Sequence, residues 1–181
     1  SWGGSLIRPQ ATGYGVVYFT DQMLQNANES LEGKSVVISG SGNVAQFAAE
    51  KCMHLGASVH TLSDSSGYIF DKDGIDSEKL AYIMHLKNIK RERISEYVKK
   101  YTKASFHSKK KPWGIKCDIA LPCATQNELD IKDAELLKKN NCICVCEGAN
   151  MPVTPEAINF FKINNILFAP GKASNAGGVA V

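Results

Sequence analysis

Along this chain, apolar and polar residues alternate in two different periods, and the switches between them predict a repeating order of strands and helices. The first fifteen residues, Ser1 to Gly15, are rich in Gly, Pro, Ser and Thr and read as an ordered loop. From Tyr14 to Asn28, Val17, Tyr18, Met23 and Leu24 fall at helical spacing, and Leu31-Glu32-Gly33 is a turn. Ser35 to Ser39 is a short apolar run bounded by glycines, the pattern of a strand buried on both faces. A helix follows from about Asn43 to Leu55, with Val44, Phe47, Ala48 and Met53 inward and Gly56 as its stop. Ala57 to Leu62 alternates into a second strand. Strand, helix, strand in so few residues is a compact βαβ unit, whose crossover is right-handed.

Further along, Tyr68 to Ile75 reads as a small excursion with a turn at Asp73-Gly74, and residues 76–101 as one helix. Asp118 to Leu121 and Ile143 to Cys146 are two more strands, with a helix between them from Asp133 to Asn140. Pro155 to Phe161 is a last helix and Ile166 to Phe168 a last strand. Alternation of this kind predicts an α/β fold of the Rossmann-like, doubly wound type, a mostly parallel sheet with helices on both faces. With 181 residues, 44% of them apolar, the expectation is a single domain spanning residues 1–181.

The net charge is only +3, and both signs are interspersed, which argues against a nucleic-acid partner. The one dense basic run, Lys109-Lys110-Lys111, reads as a solvated loop or helix end. No stretch reaches the roughly 18 apolar residues that span a bilayer, so no membrane segment is expected. Cys142, Cys144 and Cys146 alternate, which predicts their side chains on one face of a strand. Among the six cysteines there is no Cys-x2-Cys pair of the kind that holds zinc, so the expectation is reduced, packed thiols and no metal site. Reduced thiols favour an intracellular location, the cytoplasm first, with a mitochondrion or other organelle left open. Asp71 and Asp73 lack the further carboxylates of a calcium loop.

The chemistry concentrates at Gly40-Ser41-Gly42-Asn43-Val44-Ala45, a G-x-G-x-x-A sequence between the buried strand and the helix. Gly40 permits the tight turn, Gly42 lets the backbone approach a pyrophosphate, and Ala45 allows close helix–strand packing. The amides and positive dipole end of the helix then face the phosphates. A dinucleotide is the ligand this implies, with a merely structural turn or another nucleotide-like ligand as the alternatives. At the end of the second strand, roughly 20 residues on, Asp64 stands where an acidic residue bonds the ribose 2′-hydroxyl and favours NAD. Ser63, Ser65 and Ser66 beside it have donors for a 2′-phosphate, and Lys87, Lys90 and Arg93 are within reach on the next helix, unless they are simply its solvated face. On the residues alone, NAD and NADP both stay open.

Five blocks now form a recognisable set: Ser1 to Gly15, Gly40 to Ala45, Ala120-Leu-Pro-Cys-Ala-Thr-Gln-Asn-Glu128, Glu147-Gly-Ala-Asn-Met-Pro152, and Ala169 to Ala180. Together they resemble the coenzyme domain of the hexameric glutamate dehydrogenase family, and Ser63-Asp-Ser-Ser-Gly67 resembles its NADP-using branch. The resemblance implies an enzyme interconverting L-glutamate with 2-oxoglutarate and ammonia, with a hydride passing to NADP rather than NAD. Carried over by motif, Thr12 and Asn43 contact the coenzyme. Ala124, Thr125, Gln126 and Asn150 lie along the nicotinamide and its ribose, and Asn175 meets the carboxamide or the substrate. Against that stands a plainer role for Thr125 and Gln126 as caps of the following helix, for Asn150 as a loop cap, and for Thr12 and Asn175 as turn formers. Gln10 departs from the family, which usually has Glu there.

Residues 1–15 would then be the entry from a substrate domain that precedes this chain. The family's substrate lysines and catalytic aspartate belong to that domain, and a serine-bearing block belongs beyond Val181. The expectation is therefore that no catalytic residue is present and that this piece alone binds coenzyme without turning over glutamate. It further expects a homohexamer for the full-length enzyme and a monomer or weak dimer for the piece. Two rivals remain: a leucine, valine or phenylalanine dehydrogenase using NAD, and a non-catalytic nucleotide-binding or interaction module.

Overall fold

The computed structural model describes residues 9–173. The elements run α1 (Pro9–Asn26), β1 (Ser35–Ser39), α2 (Asn43–His54), β2 (Ser58–Asp64), β3 (Gly67–Phe70), α3 (Ser77–Met84), α4 (Tyr97–Lys100), β4 (Ser105–Ser108), β5 (Ile119–Pro122), α5 (Ile131–Lys139), β6 (Cys144–Cys146), α6 (Pro155–Ile163) and β7 (Leu167–Ala169). The seven strands form one sheet in the order β4-β3-β2-β1-β5-β6-β7. The pairs from β2 to β7 are parallel, and β3 and β4 add two antiparallel strands at one edge. This is the mostly parallel α/β sheet expected from the sequence.

Successive residues of the central strands supply opposite faces, as the two-residue period requires. Val36, Ile38, Ile119, Leu121, Cys144 and Cys146 pack under α1, α2 and α3. Val37, Ala120 and Val145 pack with Trp113, Ala134, Leu137 and Phe161 on the other side. Near-continuous apolar strands are therefore the signature of a sheet covered twice. From β1 the chain winds one way to β2, and from β5 the other way to β6. The strand order reverses between β1 and β5, the kind of point beyond whose carboxyl ends open α/β sheets bind ligands.

Four expectations change. The opening segment is not a loop throughout, because α1 already begins at Pro9. Proline is tolerated in a first turn, and Gly13, a poor helix former, is held there by packing. A Cβ on Gly13 would lie 2.8 Å from the Phe47 Cβ and 2.8 Å from the Val44 carbonyl oxygen, so α1 crosses α2 where a side chain cannot fit. Residues 76–101 are not one helix. After α3 the chain makes a wide π-helical turn, His85–Ile89, closed by the Lys90 N–H on the His85 carbonyl at 3.0 Å. Arg91 then takes a left-handed φ of 55°, and a short 3-10 turn precedes α4.

The excursion after β2 is itself a strand, paired along its length with β2 and with the unanticipated β4. Its turn is anchored by buried Asp71, whose carboxylate accepts from the Tyr97 hydroxyl at 2.5 Å and from Lys79 at 2.9 Å. Finally, Cys142 precedes β6 and packs on the opposite side of the sheet from Cys144 and Cys146. All six cysteines are buried and free. Among the described residues, no helix is long and apolar enough to cross a membrane.

Candidate functional site

Side chains tie the carboxyl ends of three adjacent strands together. Between Val36 and Val37 the β1–β2 register slips by one residue, so Val37 pairs with Thr61. The Thr61 hydroxyl fills the gap, accepting from the Ile38 N–H at 3.0 Å and donating to the Ile38 carbonyl at 2.9 Å. Beyond it, the Gly40 N–H donates to the Ser63 hydroxyl at 2.7 Å and the Ser63 N–H to the Gly40 carbonyl at 3.0 Å. On the other flank the Cys123 N–H donates to the Ser39 hydroxyl at 3.0 Å. Polar residues at the ends of apolar strands thus fix the carboxyl edge of the sheet.

Gly40 needs to be glycine. Its φ is +88°, and a Cβ there would meet the Cys123 carbonyl oxygen at 2.7 Å. Gly42 differs: a Cβ there would meet nothing within 4 Å, so its backbone faces open space. It is the N-cap of α2, and among the described residues no side chain caps it, while the Gln46 N–H makes the first intrahelical bond. The amides of the first turn are thus the unspent donors that bind anions at helix starts. Asn43 is exposed and Val44 half-buried beside them, and Ser41 is buried beneath. Thr12 is half-buried in α1, one residue before the Gly13 contact with Val44.

At the end of β2, Asp64 is already satisfied from within. Oδ1 accepts from the Ser66 N–H at 2.9 Å and from its hydroxyl, while Oδ2 accepts from Lys87 at 3.0 Å and the Ile94 N–H at 2.7 Å. Partial burial pushes the carboxyl up, yet these donors together hold it below its ordinary value. Lys87 also donates to the Glu92 carbonyl at 3.0 Å, and exposed Arg93 reaches the Ser65 hydroxyl at 2.7 Å. The structure therefore brings Asp64, Ser65, Lys87 and Arg93 together, but Asp64 and Lys87 spend charge on each other. Ser63 is buried, its hydroxyl oxygen engaged by Gly40.

Past β5, exposed Ala124, Thr125 and Gln126 sit on a loop held by buried Glu128, which accepts from the Ala124 and Thr125 N–H groups at 2.9 and 3.0 Å. Burial raises the Glu128 carboxyl pKa even against these donors. Thr125 and Gln126 do not cap α5, because Asp130 does, in a reciprocal box with Asp133. The loop is clamped to its neighbour by the Asn127 N–H on the Met151 carbonyl and the Leu129 N–H on the Pro152 carbonyl, both at 3.0 Å. Asn150 is exposed on that neighbouring loop, where Met151 takes a left-handed φ of 49°. Buried Glu147 accepts from the Gly171 N–H at 2.8 Å and the Val153 N–H at 3.2 Å, joining this loop to the chain after β7. Asn175 lies outside the described residues.

A family model described as glutamate/leucine/phenylalanine/valine dehydrogenase matches residues 3–181. The chain belongs to that family. It is 59% identical over 179 residues to an NAD(P)-specific glutamate dehydrogenase of Xylanibacter ruminicola, covering 99% of this chain and 40% of that one. It is 54% identical to an NADP-specific glutamate dehydrogenase of Haemophilus influenzae and 51% identical to an NAD-specific one of Bacteroides fragilis, again over 99% of this chain and 40% of each relative. The crystal structure of Plasmodium falciparum glutamate dehydrogenase superposes with a TM-score of 0.93 at 51% identity, over 99% of this chain and 38% of that one. The chain thus spans about 40% of the length of the relatives it matches.

Chemically, the arrangement offers groups suited to an anionic ligand. Uncapped α2 amides, open space at Gly42 and exposed polar groups at Thr125, Gln126 and Asn150 lie at the carboxyl ends of adjoining strands. Sequence reasoning missed the residues that hold this frame: Ser39, Thr61, Glu128 and Glu147. Ser39 and Thr61 show in the sequence only as polar residues within the predicted strands, while Glu128 and Glu147 stand in two of the motif blocks with no role assigned to them.

Proposed function

We propose that this chain is the coenzyme-binding part of an NADP-dependent glutamate dehydrogenase, which interconverts L-glutamate with 2-oxoglutarate and ammonia. The observation that carries the coenzyme choice is the internal pair of Asp64 and Lys87 at 3.0 Å, with Ser65 and Arg93 beside it. A free acidic residue would bond a ribose 2′-hydroxyl and repel a 2′-phosphate. Here the carboxylate is neutralised by Lys87, and that ammonium together with the Ser65 hydroxyl and the Arg93 guanidinium forms a set of donors suited to phosphate. Close relatives divide in name between NADP, NAD(P) and NAD. The reading therefore rests on this local chemistry, with the NADP-specific relatives in support.

In this reading Gly40, Ser41, Gly42, Asn43 and Val44 receive the pyrophosphate, with Thr12 against the same end of α2. Ser65, Lys87 and Arg93 take the 2′-phosphate, while Ser63 and Asp64 set the frame of that pocket. Ala124, Thr125, Gln126 and Asn150 line the nicotinamide ribose, and Asn175 orients the carboxamide or substrate. When bound, the coenzyme supplies the nicotinamide ring that exchanges a hydride with the substrate α-carbon. The acid, base and substrate anchors lie in the rest of the enzyme, a homohexamer, and the isolated segment binds coenzyme without turnover. The test is a substrate screen on the full-length protein: glutamate oxidation with NADP should far exceed that of leucine, valine or phenylalanine with either coenzyme. Preference for one of those three, or glutamate turnover by the isolated segment, would contradict the proposal.

A further inference from the structure

Gln46 is fully buried on the first turn of α2, yet its amide is completely used. Nε2 donates to the Ser41 carbonyl of the phosphate loop at 2.8 Å and to Asn88 Oδ1 at 3.1 Å. In return, Asn88 Nδ2 donates to Gln46 Oε1 at 3.1 Å. Asn88 sits in the wide turn after α3, next to Lys87, whose ammonium holds Asp64. A turn with one extra residue changes which side chains face inward. Here Asn88 meets α2 while Lys87 reaches the end of β2. Gln46 is the buried member and Asn88 the exposed one, so losing Asn88 leaves the donor and acceptor of Gln46 without their partner inside the protein. An apolar pair would pack this contact without that cost but would set no fixed distance.

We propose that the reciprocal Gln46–Asn88 amide pair is a positioning element that couples the phosphate loop to the 2′-phosphate pocket, placing Lys87 and so setting the discrimination between NADPH and NADH. The proposal rests on the NADP reading above. Neither amide touches coenzyme; both act through the backbone of Ser41 and the placement of Lys87. The loop that takes the pyrophosphate, shared by both coenzymes, is thereby fixed relative to the group that meets only one of them.

The test is fluorescence titration of the full-length protein with NADPH and with NADH, for the unsubstituted chain and for Asn88→Leu, Asn88→Asp and Gln46→Leu. In Asn88→Leu, NADPH affinity should fall about fivefold, the scale of one lost hydrogen bond, while NADH affinity changes less than about twofold. Gln46→Leu, which also frees Ser41, should weaken both coenzymes and NADPH the more. Asn88→Asp keeps an acceptor for Gln46 and should fall between. In a Lys87→Met background the effect of Asn88→Leu should vanish, because its route is removed. Equal losses for both coenzymes, no loss for either, or an undiminished effect without Lys87 would overturn the coupling. An unsubstituted protein with no NADPH preference would overturn the NADP reading itself. Should Asn88→Leu and Gln46→Leu unfold, Asn88→Asp alone decides by the ratio of the two affinities.

Discussion

The ammonium of Lys87 lies 3.0 Å from Oδ2 of Asp64, so the acidic residue at the end of β2 faces inward to a cation rather than outward to a ribose. Both groups are mostly shielded, with side-chain exposures of 18% and 9%, which places the pair between a screened surface bridge and a buried one. The charge at this spot depends on the partner remaining in place.

Replacing Lys87 with Met should therefore act on the coenzymes unequally. NADPH loses a charge-assisted partner and meets an unneutralised carboxylate, a loss of about tenfold or more in affinity. NADH, with no 2′-phosphate, should bind as before or slightly better. Titration of both coenzymes against the variant checks this, and an equal loss for both would contradict it.

Gly13→Ala sets two effects against each other. Alanine inside a helix is worth about 1 kcal/mol over glycine. The new methyl, however, would lie 2.8 Å from the Val44 oxygen and 2.9 Å from the Ala48 nitrogen, both backbone atoms that cannot turn aside. Overpacking of this kind costs about 1–3 kcal/mol, so the clash should win and lower stability on urea unfolding. A more stable variant would mean that α1 is free to shift from α2.

Asp64 and Asp71 are both held below the ordinary aspartate value of 3.8 against the opposing effect of burial, by Ser66, Ile94 and Lys87 in one case and by Tyr97, Lys79 and Asp73 in the other. A carboxyl whose folded pKa is depressed adds stability that is complete above its unfolded value and lost as pH falls through the folded one. Urea unfolding across pH 7 to 3 should show stability falling in the acid range, and Asp71→Asn should flatten part of that slope. An unchanged slope would show that these pairs do not govern it.

The thiols should be inert in the native protein. Burial pushes Cys52 and Cys146 up to about 12, far from the thiolate form that reacts. A disulfide reagent such as DTNB should label the six cysteines of this segment slowly before unfolding and completely in denaturant. Rapid labelling of any of them in the native state would place it outside the packed interior.

Much of this architecture is readable in the residues. Val36 to Ile38 had to be a strand covered on both faces, and Gly40 to Ala45 had to be the turn into α2, because periodicity and glycine geometry act over a few residues. What stayed hidden depends on long-range packing. Gly13 looks like a loop residue until Phe47 and Val44 are seen against it. The break after α3 is stabilised by Asp64, which accepts from the Ile94 N–H thirty residues away. The same contact explains why Asp64, legible as a ribose ligand by position, is engaged internally. Glu128 and Glu147 stand within two of the motif blocks, but their roles depend on burial: Glu128 accepts from the amides of Ala124 and Thr125 in its own loop, and Glu147 from those of Val153 and Gly171.

The most direct measurement is a competitive titration of NADPH against NADH on the full-length protein, read by nucleotide fluorescence at fixed ionic strength. With Asp64 paired to Lys87, and with Ser65 and Arg93 beside it as the proposed 2′-phosphate partners, NADPH should bind at least about tenfold more tightly, the scale of one charge-assisted contact. A clear preference for NADH would mean that Asp64 leaves Lys87 to bond the ribose hydroxyls, and it would contradict this account of the coenzyme site.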